Sequence, residues 1–177
     1  MGLRDERATD CDAVRHVVRR AFGDEGEKVA RLVDELRRDD PGAFSLVWEE
    51  DGEIVGHVMF TKSLLDAPAR LVDVQVLSPL AVLPEFHRRG IGSALIAEGV
   101  RRLDERGVPL VFLEGDPRYY VRAGFEPGGD FGFRKPSLRI PDVAFQVFKL
   151  SAYESWMTGT LVYLHTFWDQ DCVGLRG

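Results

Sequence analysis

His87-Arg88-Arg89-Gly90-Ile91-Gly92 places two cations and two glycines in six consecutive positions. An apolar run ending at Val82 precedes this segment, and a helical pattern bearing Ile96, Val100 and Leu103 follows it. Without side chains, Gly90 and Gly92 let the backbone come close to a bound group. The first amides of a helix have no intrahelical acceptor and suit an anion. Arg88 and Arg89 bring positive charge to the same spot. The chemistry served by a strand, a basic glycine-spaced turn and a helix start is the cradling of a pyrophosphate. A dinucleotide-binding turn requires Gly-x-Gly-x-x-Gly and an acidic residue about 20 positions further on, but position 95 is Leu. A P-loop requires Gly-Lys-Ser/Thr after its last glycine, and that is missing too. Taken alone, the Gly-x-Gly turn is equally a helix start whose glycines merely permit tight packing.

The elements that must position this turn are legible on either side of it. Residues 2–8 form a first strand, and Thr9 or Asp10 caps a helix with Val14, Val17, Val18 and Ala21 on one face. A second helix starts near Glu25, carries Val29, Leu32, Val33 and Leu36 at helical spacing, and is stopped by Asp40-Pro41-Gly42. Two strand-like runs flank Asp51-Gly52 as a β-hairpin, and residues 71–82 form the central strand. The helix after the glycines ends at Gly107. Residues 108–113 form a short, buried strand, a helical turn lies around 119–123, and 143–150 is a late strand. The order β-α-α-β-β-β-α-β-α-β-β gives an α/β protein with a mixed sheet.

Size and composition set the outer bounds. With 177 residues, 45% of them hydrophobic and 29% charged, the chain has enough apolar matter for one real core and is not disordered. Its formal charge of −6 shows no basic stripe for a phosphate backbone, so no nucleic-acid partner is expected. Cys11 and Cys172 lie far apart without metal-type spacing, so no metal site is expected and both read as reduced thiols. No apolar stretch approaches the ~20 residues that cross a bilayer, and the charged first residues are unlike an export signal. The expectation is therefore a cytoplasmic protein with no membrane partner.

The turn resembles the acyl-CoA pyrophosphate loop of the GNAT N-acyltransferase superfamily, Gln/Arg-x-x-Gly-x-Gly/Ala, with His87 where that family usually has Gln or Arg. Two more blocks follow the family's order. One is the run from Leu77 through Pro79 to Val82, with Pro84 before the loop. The other is Asp116 to Phe125, which is similar to a Tyr-x-x-x-Gly-Phe signature. A bacterial branch of acetyltransferases is resembled further in the Leu32-Val33-x-x-Leu36-Arg37 helix, in Gly56-His57 after the hairpin, and in the longer C-terminal tail. The resemblance implies a mixed central β-sheet with a splayed pair of parallel strands, flanked by helices. It also implies an acetyltransferase domain over 1–150, with a C-terminal extension, 151–177, packed on the same domain.

The implied reaction moves an acetyl group from acetyl-CoA, as co-substrate, to a primary amine of a small-molecule or peptide acceptor. Few parts are required: an oriented thioester, a neutral amine, a polarised carbonyl and a proton for the departing thiolate. Pro79 cannot donate to a sheet ladder, so the central strand either ends there or is forced from its neighbour. By resemblance, the backbone groups of Leu80, Ala81 and Val82 pair with the pantetheine arm as with an added strand. His87, Arg88, Arg89, Gly90, Ile91, Gly92 and Ser93 then cradle the pyrophosphate, while Asp116 and Tyr119 are further cofactor contacts. Tyr119 is more simply a packing residue. Tyr120, four residues before Gly124, stands at the family's proton-donor position, and a phenol with a pKa near 10 is protonated at neutral pH.

Glu114 follows a strand whose carboxyl end should face the cleft. It is either the base, acting directly or through water, or a solvated turn carboxylate. His57 on an apolar strand reads as a hydrogen-bonded core residue. Asp73 and Gln75 and the loop from Asp130 to Phe133 are placed on the acceptor side, whereas His165 and Trp168 either line the acceptor pocket or, more simply, pack the tail. The apolar tail from Gly159 to Trp168 either docks on the sheet as a strand or mediates a homodimer contact. A non-catalytic acyl-CoA sensor and a nucleotide-binding protein are the competing functions. Tyr120 counts against the first, and the missing glycine and lysine motifs count against the second.

Overall fold

The structure is a computed structural model that describes residues 2–175. It contains β1 (Gly2–Asp5), α1 (Cys11–Phe22), α2 (Gly26–Asp39), β2 (Phe44–Glu50), β3 (Glu53–Asp66), β4 (Leu71–Val82) and α3 (Ile91–Glu105). These are followed by β5 (Leu110–Glu114), α4 (Pro117–Tyr120), β6 (Glu126–Pro127), β7 (Phe133–Arg134), β8 (Phe145–Lys149), β9 (Gly159–Val162) and α5 (His165–Asp169). Two compact units divide the described residues: 2–61 with 78–99, and 62–77 with 100–175. Strands β3 and β4 and helix α3 each pass from one unit into the other.

In the first unit, β1 and β3 pair antiparallel with β2 on its two sides. The β2–β3 turn has Asp51 at φ 51° and Gly52 at φ 82°. Two left-handed central residues match the twist of a two-residue hairpin, which is why Asp-Gly serves there. Helix α1 buries Val14, Val17 and Val18 as its spacing predicts, whereas Ala21 is half-buried. Asp10 precedes α1, but its carboxylate makes no cap to that helix. The side chain turns back instead, accepting the Arg7 amide at 2.7 Å and pairing with Arg4 at 2.7 Å. Helix α2 stops at Asp40, which lies at φ −121°, ψ 90°, because the following proline excludes helical backbone at the residue before it. The two helices touch closely at Gly26, where a Cβ would fall 2.3 Å from the Arg19 carbonyl oxygen.

One face of β3 meets α3: a Cβ on Gly56 would lie 2.8 Å from Ile91, and one on Gly99 would lie 2.3 Å from the Phe60 ring. Side chains alternate along a strand, so His57 points the other way. Its fully buried ring places Nε2 3.2 Å from Glu6 Oε2, and Glu6 also pairs with Arg37 of α2. His57 is thus the hydrogen-bonded core residue that its strand context predicts.

In the second unit, β4 runs parallel to β5, with Gln75 opposite Val111 and Val76 opposite Phe112. Strand β8 pairs antiparallel with β5, and β6 adds to β8. The sheet is therefore mixed. Phe112 stacks on Phe145 at 5.7 Å and meets Phe133 edge-on at 5.1 Å, joining β5, β7 and β8. Part of the tail docks as a strand, since β9 pairs antiparallel with the end of β3, Leu64 opposite Val162. Beyond it the chain turns into the short helix α5 rather than continuing as strand. Helix α3 ends at a left-handed Gly107 (φ 75°), with the Val108 amide on Leu103 O (3.1 Å) and the Gly107 amide on Asp104 O (3.0 Å). That double bond satisfies the orphan carbonyls and starts β5 sharply.

Candidate active site

In the first unit, the end of β4 leads into the turn at residues 83–90. The Leu83 amide donates to Val55 O at 2.9 Å, tying the strand exit to β3, and Pro84 opens a 3-10 turn closed by His87 N on Pro84 O at 3.2 Å. The His87 ring folds back so that Nε2–H donates to Val82 O at 2.9 Å. Arg88 (φ 63°) and Gly90 (φ 80°) then take left-handed backbone. Ala94 N donates to Gly90 O at 3.0 Å. The amides of Ile91, Gly92 and Ser93 precede that bond in the helix and have no acceptor within it. A Cβ on Gly90 would meet nothing within 4 Å, so the left-handed backbone is what requires glycine there, and the turn stands open. Ile91 is buried against β3, which leaves only its backbone for a ligand. The two arginines differ. Arg89 Nη1 lies 3.5 Å from Glu50 and its guanidinium sits 4.7 Å over the Phe86 ring, whereas Arg88 is exposed and has no ion pair among the described residues. An open turn, unpaired helix amides and a free cation fit a pyrophosphate.

The same unit holds a cavity of about 580 Å³ lined by Arg4, Asp10, His16, Arg20, Glu53 and Glu85, among others. Its charges largely neutralise one another, with Arg4 on Asp10 at 2.7 Å and Arg20 on Glu85 at 3.3 Å. None of the sequence-predicted site residues lines it.

In the second unit, β5 delivers Glu114 at its carboxyl end. The turn after it is pinned by Gly115 N on Ala144 O (3.0 Å) and by the buried Gln146 amide donating to Gly115 O (3.1 Å). Asp116 caps α4 by accepting the Arg118 amide at 2.9 Å, and it pairs with the Arg118 guanidinium, which lowers its carboxyl pKa. The Tyr120 ring lies on Gly115, where a Cβ would come within 2.5 Å of Cε2. It also meets Tyr119 edge-on at 5.0 Å and Phe125 at 5.8 Å. Burial, followed by the neighbouring Tyr119, raises the Tyr120 pKa well above the ordinary phenol value. Among the described residues its hydroxyl has no hydrogen-bond partner. Gly124 must be glycine twice over, being at φ 94° with a would-be Cβ 2.6 Å from Phe148.

Glu114 is not a solvated turn carboxylate. It is half-buried, and burial raises its pKa against the opposing effects of the Gly174 amide, Tyr163 and Arg139. Asp73 is exposed and paired with Lys62 at 3.1 Å, and Gln75 is half-buried. His165 is exposed 3.8 Å from Asp169, and Trp168 is 41% exposed with Arg139 5.9 Å from its ring centre. Four residues that the sequence analysis did not single out bear on Glu114 and its turn in this unit: Gln146, Arg139, Tyr163 and Gly174. Each acts through a long-range contact, and none carries a local signature.

Fold and site elements together define an acyl-CoA-dependent transferase, and residues 3–128 match the acetyltransferase (GNAT) domain. The chain belongs to that family. It is 38% identical over 131 residues to the uncharacterized N-acetyltransferase YjhQ of Escherichia coli, covering 72% of this chain and 71% of that one. The crystal structure of the E. coli GNAT family N-acetyltransferase YhbS in complex with CoA superposes with a TM-score of 0.83 at 30% identity, over 93% of this chain and 90% of that one. A GNAT acetyltransferase from Brucella melitensis, in complex with acetyl-CoA, gives 0.74 at 30% identity over 93% and 96%. Among the described residues no helix is long and apolar enough to cross a membrane, and no group of three or more His, Cys, Asp or Glu could hold a metal ion.

Proposed function

We propose that this chain transfers an acetyl group from acetyl-CoA to a primary amine of a small-molecule or peptide acceptor, by direct attack in a ternary complex. The observation that carries the reading is the open left-handed turn at Arg88–Gly90, which feeds three unpaired amides into α3. Acetyl-CoA supplies an acyl group already activated as a thioester, so the protein's work is positioning and proton traffic. The amides at 91–93 bind the pyrophosphate and Arg88 adds its free charge, with Arg89 held back on Glu50. His87 already donates to the Val82 carbonyl, which leaves Leu80 and Ala81 as the main backbone partners of the pantetheine arm. An amide there that polarises the thioester oxygen contributes roughly 3 kcal/mol, as such donors do in other acyl transfers.

Glu114 takes the proton from the acceptor's ammonium, and its raised pKa brings it nearer to the amine's own. Tyr120 gives its proton to the leaving thiolate. Asp116 and Tyr119 support Tyr120, Asp116 by capping α4 and Tyr119 by packing on its ring. The segment 1–150 supplies these groups, with 151–177 as an extension on the same domain. Among the described residues neither Cys11 nor Cys172 is in a disulfide, which suits the cytoplasm, where we place the protein.

The test is a thermal-shift comparison of acetyl-CoA, CoA, NAD and ATP, followed by mass spectrometry of a primary-amine panel incubated with acetyl-CoA. Acetyl-CoA should raise the melting temperature, and Gly92→Glu, which sets a carboxylate at the cradle, should abolish the shift. Stabilisation by NAD or ATP and not by acetyl-CoA would overturn the proposal. Binding without acetylation of any amine would favour an acyl-CoA sensor.

A further inference from the structure

The tail does more in the second unit than fill a groove. The Gly174 amide donates to both oxygens of Glu114, at 3.1 Å to Oε2 and 3.4 Å to Oε1. The chain is stitched to Arg139 on each side of that glycine: Arg139 Nη2 donates to Val173 O at 3.0 Å, and the Leu175 amide donates to Arg139 O at 3.2 Å. Gly174 itself is left-handed at φ 62°, and a Cβ there would fall 2.6 Å from the Arg139 carbonyl carbon, so no other residue fits without moving the tail. Tyr163, just after β9, is 5% exposed and tilted on Phe167 at 5.0 Å. Its hydroxyl is sealed from solvent with no bond in hydrogen-bonding geometry, and the same holds for Arg139 Nε. Burial and the adjacent Glu114 carboxylate push the Tyr163 phenol well up.

The Tyr163 hydroxyl and the Arg139 charge both act on the Glu114 carboxylate, and each favours its ionised form. Asp116, nearest to Glu114 in the chain, is occupied by Arg118. The charged or titratable groups acting on Glu114 are therefore Arg139 and Tyr163, together with the Gly174 dipole.

We propose that residues 173–175, with Arg139 and Tyr163, are positioning residues that hold the Glu114 carboxylate where it takes the acceptor's proton. This rests on the reading of Glu114 as the base. In that step an ammonium N–H bond breaks, the proton joins a Glu114 oxygen, and the bonding pair stays on nitrogen as the attacking lone pair. The tail thereby belongs to the acid–base apparatus: Gly174 fixes the rotamer, Arg139 supplies balancing charge, and Tyr163 keeps water from the carboxylate's inner side.

The experiment uses the full chain with carboxyl-13C-labelled glutamate and follows Glu114 by NMR against pH. Activity is read as CoA thiol release from acetyl-CoA with spermidine, L-lysine, ethanolamine and a tripeptide bearing a free N-terminus as probes. Truncation after Cys172 opens the carboxylate to water, and its titration should move down toward the ordinary range. Tyr163→Phe removes a group that favours the ionised form, and the titration should move up. Turnover should fall at least tenfold on truncation, with the Michaelis constant for acetyl-CoA changed less than twofold. Should the truncated chain misfold, Tyr163→Phe still decides, because it preserves volume. Unmoved titrations and turnover in both variants would overturn the positioning role, provided Glu114→Gln abolishes turnover. Full turnover in Glu114→Gln would instead remove the base itself, and the positioning role with it.

Discussion

Replacing Tyr120 by Phe isolates a single oxygen. The ring rests on Gly115 and meets Tyr119 and Phe125 edge-on, at 5.0 and 5.8 Å, and phenylalanine keeps all three contacts. No protein group among the described residues hydrogen-bonds the hydroxyl, so its removal breaks no internal bond, and the melting temperature should move by no more than a degree or two. The phenol pKa is raised by burial, so the proton is present throughout the neutral and mildly alkaline range. The loss of turnover should therefore be the same at pH 6.5 and at pH 8.5. General-acid effects begin at about 10²-fold, or about 2.7 kcal/mol of barrier at 1.36 kcal/mol per tenfold.

The assay is steady-state CoA release with an accepted amine, fitted separately for turnover and for the acetyl-CoA Michaelis constant. The first should drop about a hundredfold and the second should hold within twofold. Tyr119→Phe, run in parallel, should be much milder. Equal small effects at both positions would refute the argument. The thiolate would then take its proton from water, and Tyr120 would be a packing residue.

Gly115→Ala should disturb the same tyrosine indirectly. The added Cβ meets the ring at 2.5 Å, an overpacking cost of about 1–3 kcal/mol, visible as a lower urea midpoint together with lower turnover. Arg88→Ala should raise the acetyl-CoA Michaelis constant more than Arg89→Ala does, because Arg89 is engaged by Glu50 and Phe86. Equal effects in low-salt titrations would contradict that asymmetry. The buried Glu6–His57 pair predicts acid lability. Burial holds the His57 pKa down. The His57 hydrogen bond and the Arg37 charge hold Glu6 down against its own burial. Both folded values lie below the unfolded ones, so stability is complete above about pH 6.5, erodes below it through His57, and erodes again below about pH 4.3 through Glu6. The slope should reach at most about 1.4 kcal/mol per pH unit per proton. His57→Gln should flatten denaturation midpoints between pH 6.5 and 5, and a curve parallel to the wild type would disprove the assignment.

What could be read from the sequence was what is encoded locally. Asp51-Gly52 specifies its hairpin, Asp40-Pro41 stops its helix, and the limits of β4 follow from one apolar run. The open turn before α3 was equally visible, because its left-handed residues, Arg88 and Gly90, lie next to its helix start in the chain. The environment of Glu114 was not visible. Its acceptor bond comes from Gly174, sixty positions away, and Arg139 and Tyr163 stand in segments whose composition announces only a loop and a strand end. Asp10 departs from the expected cap for the same reason: an aspartate before a helix normally bonds forward, and here Arg4 and the Arg7 amide draw it back. Buried polar groups are satisfied by whichever partner the fold brings near, and periodicity contains no record of that choice.

The bond from His87 to the Val82 carbonyl bears on how this loop can vary. The resembled pattern names Gln or Arg at that position, and this chain has His. All three side chains end in an N–H that can reach back to a carbonyl at the end of the preceding strand. What the position demands is then a donor of suitable reach, not a charge and not a particular residue. His87→Gln should be interchangeable with the wild type, whereas a methyl-terminated side chain of similar length would leave the strand end and the turn free to drift apart. Patterns written in residue identities misfile such chains as exceptions, and one written in hydrogen-bond roles would count this loop as regular.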